Sequence, residues 1–240
     1  MQELIEGLRD FRNRYFCTHQ DLFEQLAEGQ HPSVLFITCS DSRIDPNLLV
    51  DADLGELFVI RNAGNIVPHF HKSKGGEGAT IEYALKALAV DEIIVCGHTH
   101  CGAMKGLFKL EKLKQEMPLV YEWLTHAEET YRVIKQKCTT CNEEENEEEL
   151  VELAVAENVL TQLENLRSYP IVQEKLKAGK LNLYGWIYDI ETGNVLIYHP
   201  DRGQFLPALT EPVVCEIPAD SWLPPEQQER IYRGTYSLRR

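Results

Sequence analysis

Two short polar segments carry the side chains in this sequence that are best suited to chemistry. The first is Cys39-Ser40-Asp41-Ser42-Arg43, and the second is His98-Thr99-His100-Cys101-Gly102. Together they offer two thiols, two imidazoles and a carboxylate, and each segment follows a strongly apolar run. Two Cys and one His bind zinc and leave one coordination position open for water or substrate. The segments therefore predict a catalytic rather than a structural zinc site.

The two histidines of the second segment compete for the ligand role. His98 comes directly after Gly97 at the end of an apolar run, and it stands three residues before Cys101. That spacing lets both side chains reach one ion. We therefore expect His98 to be the ligand and His100 to be a neighbouring structural residue.

Asp41 and Arg43 stand two residues apart directly after Cys39. In an extended turn they face the same way and can pair, which keeps a carboxylate ionised and aimed. Near a zinc ion, Asp41 could accept a hydrogen bond from a bound water or enter the metal shell itself. The purely structural alternative is that Asp41 caps the helix that follows.

The apolar runs around these segments predict a parallel sheet. Runs of strand length occur at Ser33–Thr38, Glu56–Ile60 and Glu92–Cys96, as expected for buried parallel strands. A helical pattern over 75–90 connects the last two, and this order implies a right-handed crossover. Ligands of open parallel sheets lie beyond the carboxyl ends of the strands. Cys39 and His98 should therefore converge there.

Helices and a hairpin complete the predicted architecture. Apolar spacing predicts one or two amphipathic helices over 3–28 and a long helix that includes 150–163. Further helices are predicted at Gly102–Leu113 and Pro118–Lys137, and a hairpin at 181–198. The predicted fold class is α/β, a mostly parallel β-sheet flanked by helices.

The chain divides into three parts by the same patterns. We expect an N-terminal helical arm at 1–30, a zinc catalytic α/β domain at 31–206 and a C-terminal extension at 207–240. The extension is rich in proline, and its last stretch is basic although the rest of the chain is acidic.

Composition narrows the class of protein. The formal net charge of -14 argues against nucleic acid as a partner, and no apolar run has the length of a membrane span. The start of the chain lacks the apolar stretch of a secretory signal. Seven cysteines, an odd number at irregular spacing, favour a reducing compartment. We therefore expect a cytoplasmic location.

Four blocks of the sequence together resemble the signature blocks of the β-carbonic anhydrases. They are CSDSR, RNAGN at Arg61–Asn65, GGEGATIEYAL and CGHTHCGAM, in the family's order and spacing. The resemblance implies one zinc ion per chain, bound by Cys39, His98 and Cys101, with Asp41 and Arg43 as a catalytic dyad. It also implies reversible hydration of carbon dioxide to bicarbonate and a proton, by attack of a zinc-bound hydroxide.

The resemblance extends to the subtype and its substrate pocket. Gln30 stands nine residues before Cys39, as in plant-like members, and Phe36 replaces the tryptophan of the allosteric bacterial type. The positions that match the substrate pocket are Gln30, Phe58, Ala63, Tyr83 and Gly102. From the residues alone, Phe58 and Tyr83 would be plain core aromatics.

The two ends of the chain resemble a narrower group, the carboxysomal β-carbonic anhydrases of cyanobacteria. The matching stretches are MQELIEGLRDFRNRYF, CGAMKGLFKLEKL and LPPEQQERIYRG. This implies a location within the carboxysome, supply of carbon dioxide to Rubisco, and a homodimer or higher oligomer. Residues 222–240 would dock on a carboxysome scaffold protein; an ordered arm or simple disorder is the structural alternative.

Three questions stay open at this level. The same ligands would serve a hydrolase of carbonyl sulfide or carbon disulfide, and a non-catalytic scaffold component could keep zinc for stability. Asp41, Arg43 and Gln30 argue against the scaffold component, because a structural metal needs none of them. Cys138 and Cys141 form a CxxC pair, which is compatible with two free thiols, a redox-sensitive disulfide or a metal site.

Overall fold

The computed structural model describes residues 1–137 and 147–210, and in these residues a six-stranded sheet forms the centre of the fold. The strands lie in the order β2-β1-β3-β4-β5-β6; β1 to β4 are parallel, and β5 and β6 are antiparallel to their neighbours. The mostly parallel α/β fold is therefore confirmed. The strands are β1 (Val34–Cys39), β2 (Leu57–Asn62), β3 (Glu92–His98), β4 (Asn182–Tyr188), β5 (Val195–His199) and β6 (Gln204–Pro207).

Helices precede the sheet and connect its strands. In chain order they are α1 (Gln2–Asp10), α2 (Gln20–Glu28), α3 (Pro46–Val50), α4 (Gly76–Lys86), α5 (Gly102–Leu107), α6 (Leu110–Glu116), α7 (Pro118–Leu124), α8 (Glu128–Lys137), α9 (Glu147–Arg167) and α10 (Pro170–Lys177). A π-helical segment, Phe11–Phe16, follows α1 directly and precedes α2. Short 3-10 turns lie at Phe70–Lys72 and Thr125–Ala127. Within the described residues, no helix combines the length and the hydropathy that crossing a membrane requires.

Two predicted helices are each divided in the structure. Gly102–Leu113 forms α5 and α6, and Pro118–Lys137 forms α7, a 3-10 turn and α8. A Cβ at Gly106 would lie 3.0 Å from Leu124 Cδ1 and 3.2 Å from Leu113 Cδ1, so this glycine permits close packing of α5 against α6 and α7. Helical periodicity does not show this packing, because the contacts lie outside the helix.

The N-terminal arm forms the helices that the sequence predicts, but α1 and α2 contain no buried residue. Apolar side chains instead face outward along it, including Leu4, Leu8 and Phe11. The hairpin of β4 and β5 is present as predicted. The four-residue strand β6 is absent from the sequence-based prediction, since Pro207 and a short edge strand give little pattern.

Helix α9 fixes the sheet by packing across β3 and β4 at two glycines. A Cβ at Gly97 would lie 3.0 Å from Val159 Cγ2, and one at Gly185 would lie 2.9 Å from Val159 Cγ1. Both glycines therefore permit a close approach between helix and sheet. The approach matters for the site described below, because β3 ends at His98.

Substitution of Gly185 tests this packing. We expect Gly185→Val to lower the free energy of unfolding by about 1–3 kcal/mol, because the added side chain would overpack a filled contact. Gly7→Ala is a matched control, since no heavy atom lies within 4 Å of the added Cβ and alanine favours the helix. Urea unfolding measures both. Equal stability of Gly185→Val and the parent protein would contradict the close packing.

Candidate metal centre

Three buried side chains meet at the carboxyl ends of the adjacent strands β1 and β3. Cys39 is the last residue of β1, His98 is the last residue of β3, and Cys101 lies directly before α5. Their exposed fractions are 5%, 0% and 1%, and one ligand atom from each lies within 4.8 Å of the others. Within the described residues, this is the group of three such side chains that could hold a metal ion.

The imidazole of His98 is oriented for a ligand role. Its Nδ1 lies 2.8 Å from the carbonyl oxygen of Thr99, which makes Nδ1 the protonated nitrogen. Its Nε2 is buried and has no hydrogen-bond partner. A buried nitrogen lone pair without a partner is costly, and a metal ion would satisfy it.

Cys39 and Cys101 shift each other's pKa in opposite directions. A hydrogen bond from the Cys101 thiol, with help from the backbone amide of Gly64, outweighs the effect of burial and lowers the pKa of Cys39 to about 4. The same hydrogen bond, together with burial, raises the pKa of Cys101 well above its usual value. The lowered pKa favours a thiolate at Cys39, and a divalent cation bound there would hold both sulfurs as thiolates.

Asp41 and Arg43 pair beside this cluster. Arg43 Nε donates to Asp41 Oδ1 at 2.9 Å and Nη2 donates to Oδ2 at 2.8 Å, while the Arg43 backbone N–H also donates to Oδ1. These bonds hold the pKa of the Asp41 carboxyl well below its usual range. Asp41 Oδ2 lies 3.9 Å from His98 Nε2. The carboxylate is therefore ionised and stands next to the position a metal ion would take.

The alternative in which Asp41 caps a helix is not what the structure shows. The cap of α3 is Asp45, whose side chain accepts a hydrogen bond from the backbone N–H of Leu48. Pro46 follows at the first helical position, where its missing N–H costs nothing. Asp41 thus stays free to pair with Arg43.

Arg61 holds the segment that carries this pair. Its guanidinium donates to the carbonyl oxygens of Cys39 at 3.1 Å, Asp41 at 2.7 Å and Ile44 at 2.8 Å. The Arg61 guanidinium thereby fixes three points of the turn after β1. Sequence reasoning included Arg61 only as a letter of a matching block and assigned it no role.

His100 lies outside the cluster. It adopts a positive φ of 56°, and its Nε2 lies 3.3 Å from a Glu191 carboxylate oxygen. Its backbone N–H donates to Glu152, and its carbonyl oxygen accepts from Arg43. The structure thus places His98 with the two cysteines and His100 with two exposed carboxylates.

The residues predicted to bind substrate lie at a more open surface. Phe58 on β2 and Tyr83 on α4 are in contact, with ring centroids 6.0 Å apart, and Tyr83 is 51% exposed. Gln30, Ala63 and Gly102 are also exposed, and Gly102 begins α5 directly after Cys101. Four of the five predicted residues are therefore exposed in the single chain.

Sequence reasoning missed the contacts that hold the loop after β2. Trp123 Nε1 donates to the carbonyl oxygen of Ala63 at 2.8 Å, and the backbone N–H of Gly64 donates to Cys39 Sγ at 3.3 Å. Asn158 Nδ2 donates to the carbonyl oxygen of Gly64 at 2.9 Å. The one available signal was polar residues at helical spacing inside the apolar face of α9.

Comparison with known proteins points to a single family. The sequence model of the carbonic anhydrase family matches residues 34–195. The carbonic anhydrase of Synechococcus elongatus is 50% identical over 99% of this chain and 100% of its own length. That of Synechocystis is 48% identical over 98% of this chain and 100% of its own length.

Solved structures agree with the sequence comparison. The β-carbonic anhydrase CcaA superposes with a TM-score of 0.83 at 56% identity, covering 86% of this chain and 98% of that one. A Coccomyxa β-carbonic anhydrase in complex with acetazolamide superposes with a TM-score of 0.71 at 28% identity, covering 80% and 83%.

Removal of the Arg61 guanidinium tests its role in the site. We expect Arg61→Ala to lower the free energy of unfolding by about 1.5–3 kcal/mol, because three carbonyl oxygens lose a charged donor. Arg202→Ala is the matched control, since Arg202 is exposed and its side chain pairs loosely with Asp201. Chemical denaturation compares the two. An Arg61→Ala protein as stable as Arg202→Ala would contradict the assignment.

Proposed function

Since the chain belongs to the β-carbonic anhydrase family, whose reaction is the reversible hydration of carbon dioxide, we propose that this reaction takes place at a zinc ion bound by Cys39, His98 and Cys101. One observation carries the choice of ligands. The buried Nε2 of His98 has no partner, and it belongs to a cluster with two buried sulfurs. A nitrogen and two sulfurs in this arrangement are the donor set that zinc prefers at a catalytic site.

Three protein ligands leave one coordination position for the reaction. A zinc ion bound there would lower the pKa of a water molecule to around 7 and so supply a nucleophile at neutral pH. Asp41 is the group that would orient this water, since its carboxylate lies 3.9 Å from the ligand nitrogen of His98. Its role is to accept a hydrogen bond and fix the direction of attack.

Arg43 keeps Asp41 in that role. Both carboxylate oxygens of Asp41 accept hydrogen bonds from the guanidinium, and Arg43 is itself held by the carbonyl oxygen of His100. An Asp41 carboxylate that turned towards the metal would lose these bonds. Arg43 therefore favours the arrangement in which the fourth position stays available.

Carbon dioxide would bind beside the metal, between apolar side chains and a few hydrogen-bond donors. Phe58 and Tyr83 provide the walls, and the side chain of Gln30 and the backbone at Gly102 provide hydrogen bonds to the substrate oxygens. Ala63 leaves room between them. The ring contact of Phe58 with Tyr83 supports this assignment, because it places an apolar surface on β2 and α4.

The open surface at these residues supports a homodimer or a higher homo-oligomer. The arm at 1–30 exposes Leu4, Leu8 and Phe11 and buries nothing of its own, so a second chain is its natural partner. Two β-carbonic anhydrases of Sordaria macrospora, whose solved structures resemble this fold, are tetrameric. In the proposed assembly the arm covers the partner, and the α/β domain at 31–206 carries the site.

The proposed cellular role is to supply carbon dioxide to Rubisco inside carboxysomes. Two cyanobacterial carbonic anhydrases match nearly the whole chain, which supports this placement. The C-terminal extension at 207–240 would carry a docking segment, 222–240, for a carboxysome scaffold protein. That segment and the Cys138–Cys141 pair lie outside the described residues.

Loss of one ligand tests the metal site. We expect Cys101→Ser to weaken zinc binding by at least about 100-fold, with a parallel loss of carbon dioxide hydration. Cys96→Ala is the matched control, because Cys96 is buried on β3 two residues before His98 but is outside the cluster. Atomic absorption after dialysis and stopped-flow hydration measure both. Full zinc content and activity in Cys101→Ser would contradict the ligand set.

A change in the arm tests the oligomer. We expect the double substitution Leu4→Asp and Leu8→Asp to dissociate the assembly, because charged side chains would replace an apolar contact surface. Leu119→Asp is the control, an equally drastic change at an exposed leucine of α7. Sedimentation equilibrium reports the mass. An unchanged mass for the double variant would refute the role of the arm.

Deletion of residues 222–240 tests the docking segment. The truncated protein is expected to keep its zinc content and hydration rate, because all proposed site residues lie before residue 103. It is expected to lose its co-localisation with carboxysomes in a cyanobacterial cell, as seen with a fluorescent fusion. Unchanged co-localisation would overturn the docking proposal and leave the proposed chemistry intact.

A further inference from the structure

The loop after β2 touches the proposed metal site through its backbone. Gly64 has a positive φ of 82°, and its N–H donates to Cys39 Sγ at 3.3 Å. A Cβ at this position would lie 3.0 Å from Ala103 Cβ and 3.0 Å from Met104 Cε. The peptide of Gly64 is thus enclosed between the end of β1 and the start of α5, where only glycine fits.

Three amide side chains of α9 hold this loop. We call Asn158, Gln162 and Asn165 the amide ladder, since they follow one another at i, i+4 and i+7 on one face of the helix. Asn158 Nδ2 donates to Gly64 O at 2.9 Å, Gln162 Oε1 accepts from Val67 N at 2.9 Å, and Asn165 Nδ2 donates to Val67 O at 2.8 Å.

The members of the amide ladder also bind one another. Gln162 Nε2 donates to Asn158 Oδ1 at 2.8 Å, and Asn165 Nδ2 donates to Gln162 Oε1 at 3.1 Å. Thr130 Oγ1, from α8, makes a longer hydrogen bond of 3.4 Å to Asn158 Oδ1. Each amide is thereby fixed in one orientation. The donor end of Asn158 can only face Gly64.

Burying such a network costs desolvation free energy, and the amide side chains do little to favour helix formation. Asn158 is 1% exposed and Gln162 is 0% exposed, in a stretch where apolar residues fill the core. Asparagine is a weaker helix former than leucine, and a buried amide gains little over an apolar residue of similar size. What the amides add is a fixed position for a backbone that belongs to no strand or helix.

We infer that the amide ladder is a positioning device for the metal centre: it holds the carbonyl of Gly64, and so fixes the residue whose N–H donates to the Cys39 sulfur. This inference rests on the proposed function, in which Cys39 is a metal ligand. Hydrogen bonds to a ligand sulfur withdraw electron density from it and tune the metal. Asn158 is thus a positioning residue that acts on the metal through Gly64.

The test compares Asn158→Leu with a variant in which we expect a similar decrease in the free energy of unfolding. Val172→Ala is that control, because Val172 is fully buried on α10 and makes no part of the ladder. Cobalt(II) is added to each metal-free protein, and the sulfur-to-cobalt charge-transfer band is recorded. Amide hydrogen exchange of Gly64 is measured by NMR in the metal-free proteins.

We expect Asn158→Leu to move the charge-transfer band to longer wavelength, because a sulfur without its hydrogen bond gives up an electron more easily. The Gly64 amide should exchange about fivefold faster or more, as for a lost hydrogen bond. Val172→Ala should leave the band position and the exchange rate of the Gly64 amide unchanged. If Asn158→Leu does not fold, Asn165→Ala, at a partly buried position, should give the same changes at smaller size.

Three results would overturn the inference. An unmoved band and unchanged Gly64 exchange in the ladder variants would show a purely structural role. Equal changes in Val172→Ala would show that any loss of core packing has the same effect. A parent protein without any sulfur-to-cobalt band would overturn the proposed metal site and this inference together, whereas the first two results leave the metal site standing.

Discussion

The structure depends on one electrostatic constraint: two sulfurs and an unpartnered imidazole nitrogen are buried within 4.8 Å of one another. A buried nitrogen lone pair without a partner is costly away from water, and so are two buried thiolates. A zinc ion would offset both costs, so its binding would also stabilise the fold around it. The Asp41–Arg43 pair meets a related constraint, because it keeps a carboxylate ionised beside the position that the metal would take.

The parallel sheet places these groups together, and long-range contacts then fix them. Adjacent strands β1 and β3 end at the same edge, which brings Cys39 to His98. Arg61 reaches across from β2 to hold three carbonyl oxygens of the turn after Cys39. Helix α9 packs on β3 at Gly97 and holds the Gly64 loop through Asn158. The site thus depends on elements from widely separated parts of the chain.

The sequence predicts what depends on local pattern. Continuous apolar runs indicate the parallel strands, and strand ends indicate where ligands converge, so the residue pattern is enough to name Cys39, His98 and Cys101 as candidate ligands. Contacts between distant segments leave no such pattern. The close packing of α6 and α7 on α5 at Gly106 is one such contact, and the hydrogen bond from Asn158 to a carbonyl oxygen 94 residues away in the chain is another. Tyr83 shows a second limit of prediction from the sequence. Helical periodicity alone predicts a core aromatic, but the Tyr83 side chain is half exposed in the single chain, at a surface where we propose that a second chain binds.

X-ray absorption at the zinc edge of the metal-loaded protein would identify the ligands of the metal. We expect two sulfur atoms at about 2.3 Å and two lighter atoms at about 2.0–2.1 Å around one zinc ion. One of the lighter atoms is the nitrogen of His98, and the other occupies the fourth position. A shell of four sulfurs, or one with no sulfur, would contradict the claim that Cys39, His98 and Cys101 bind the metal.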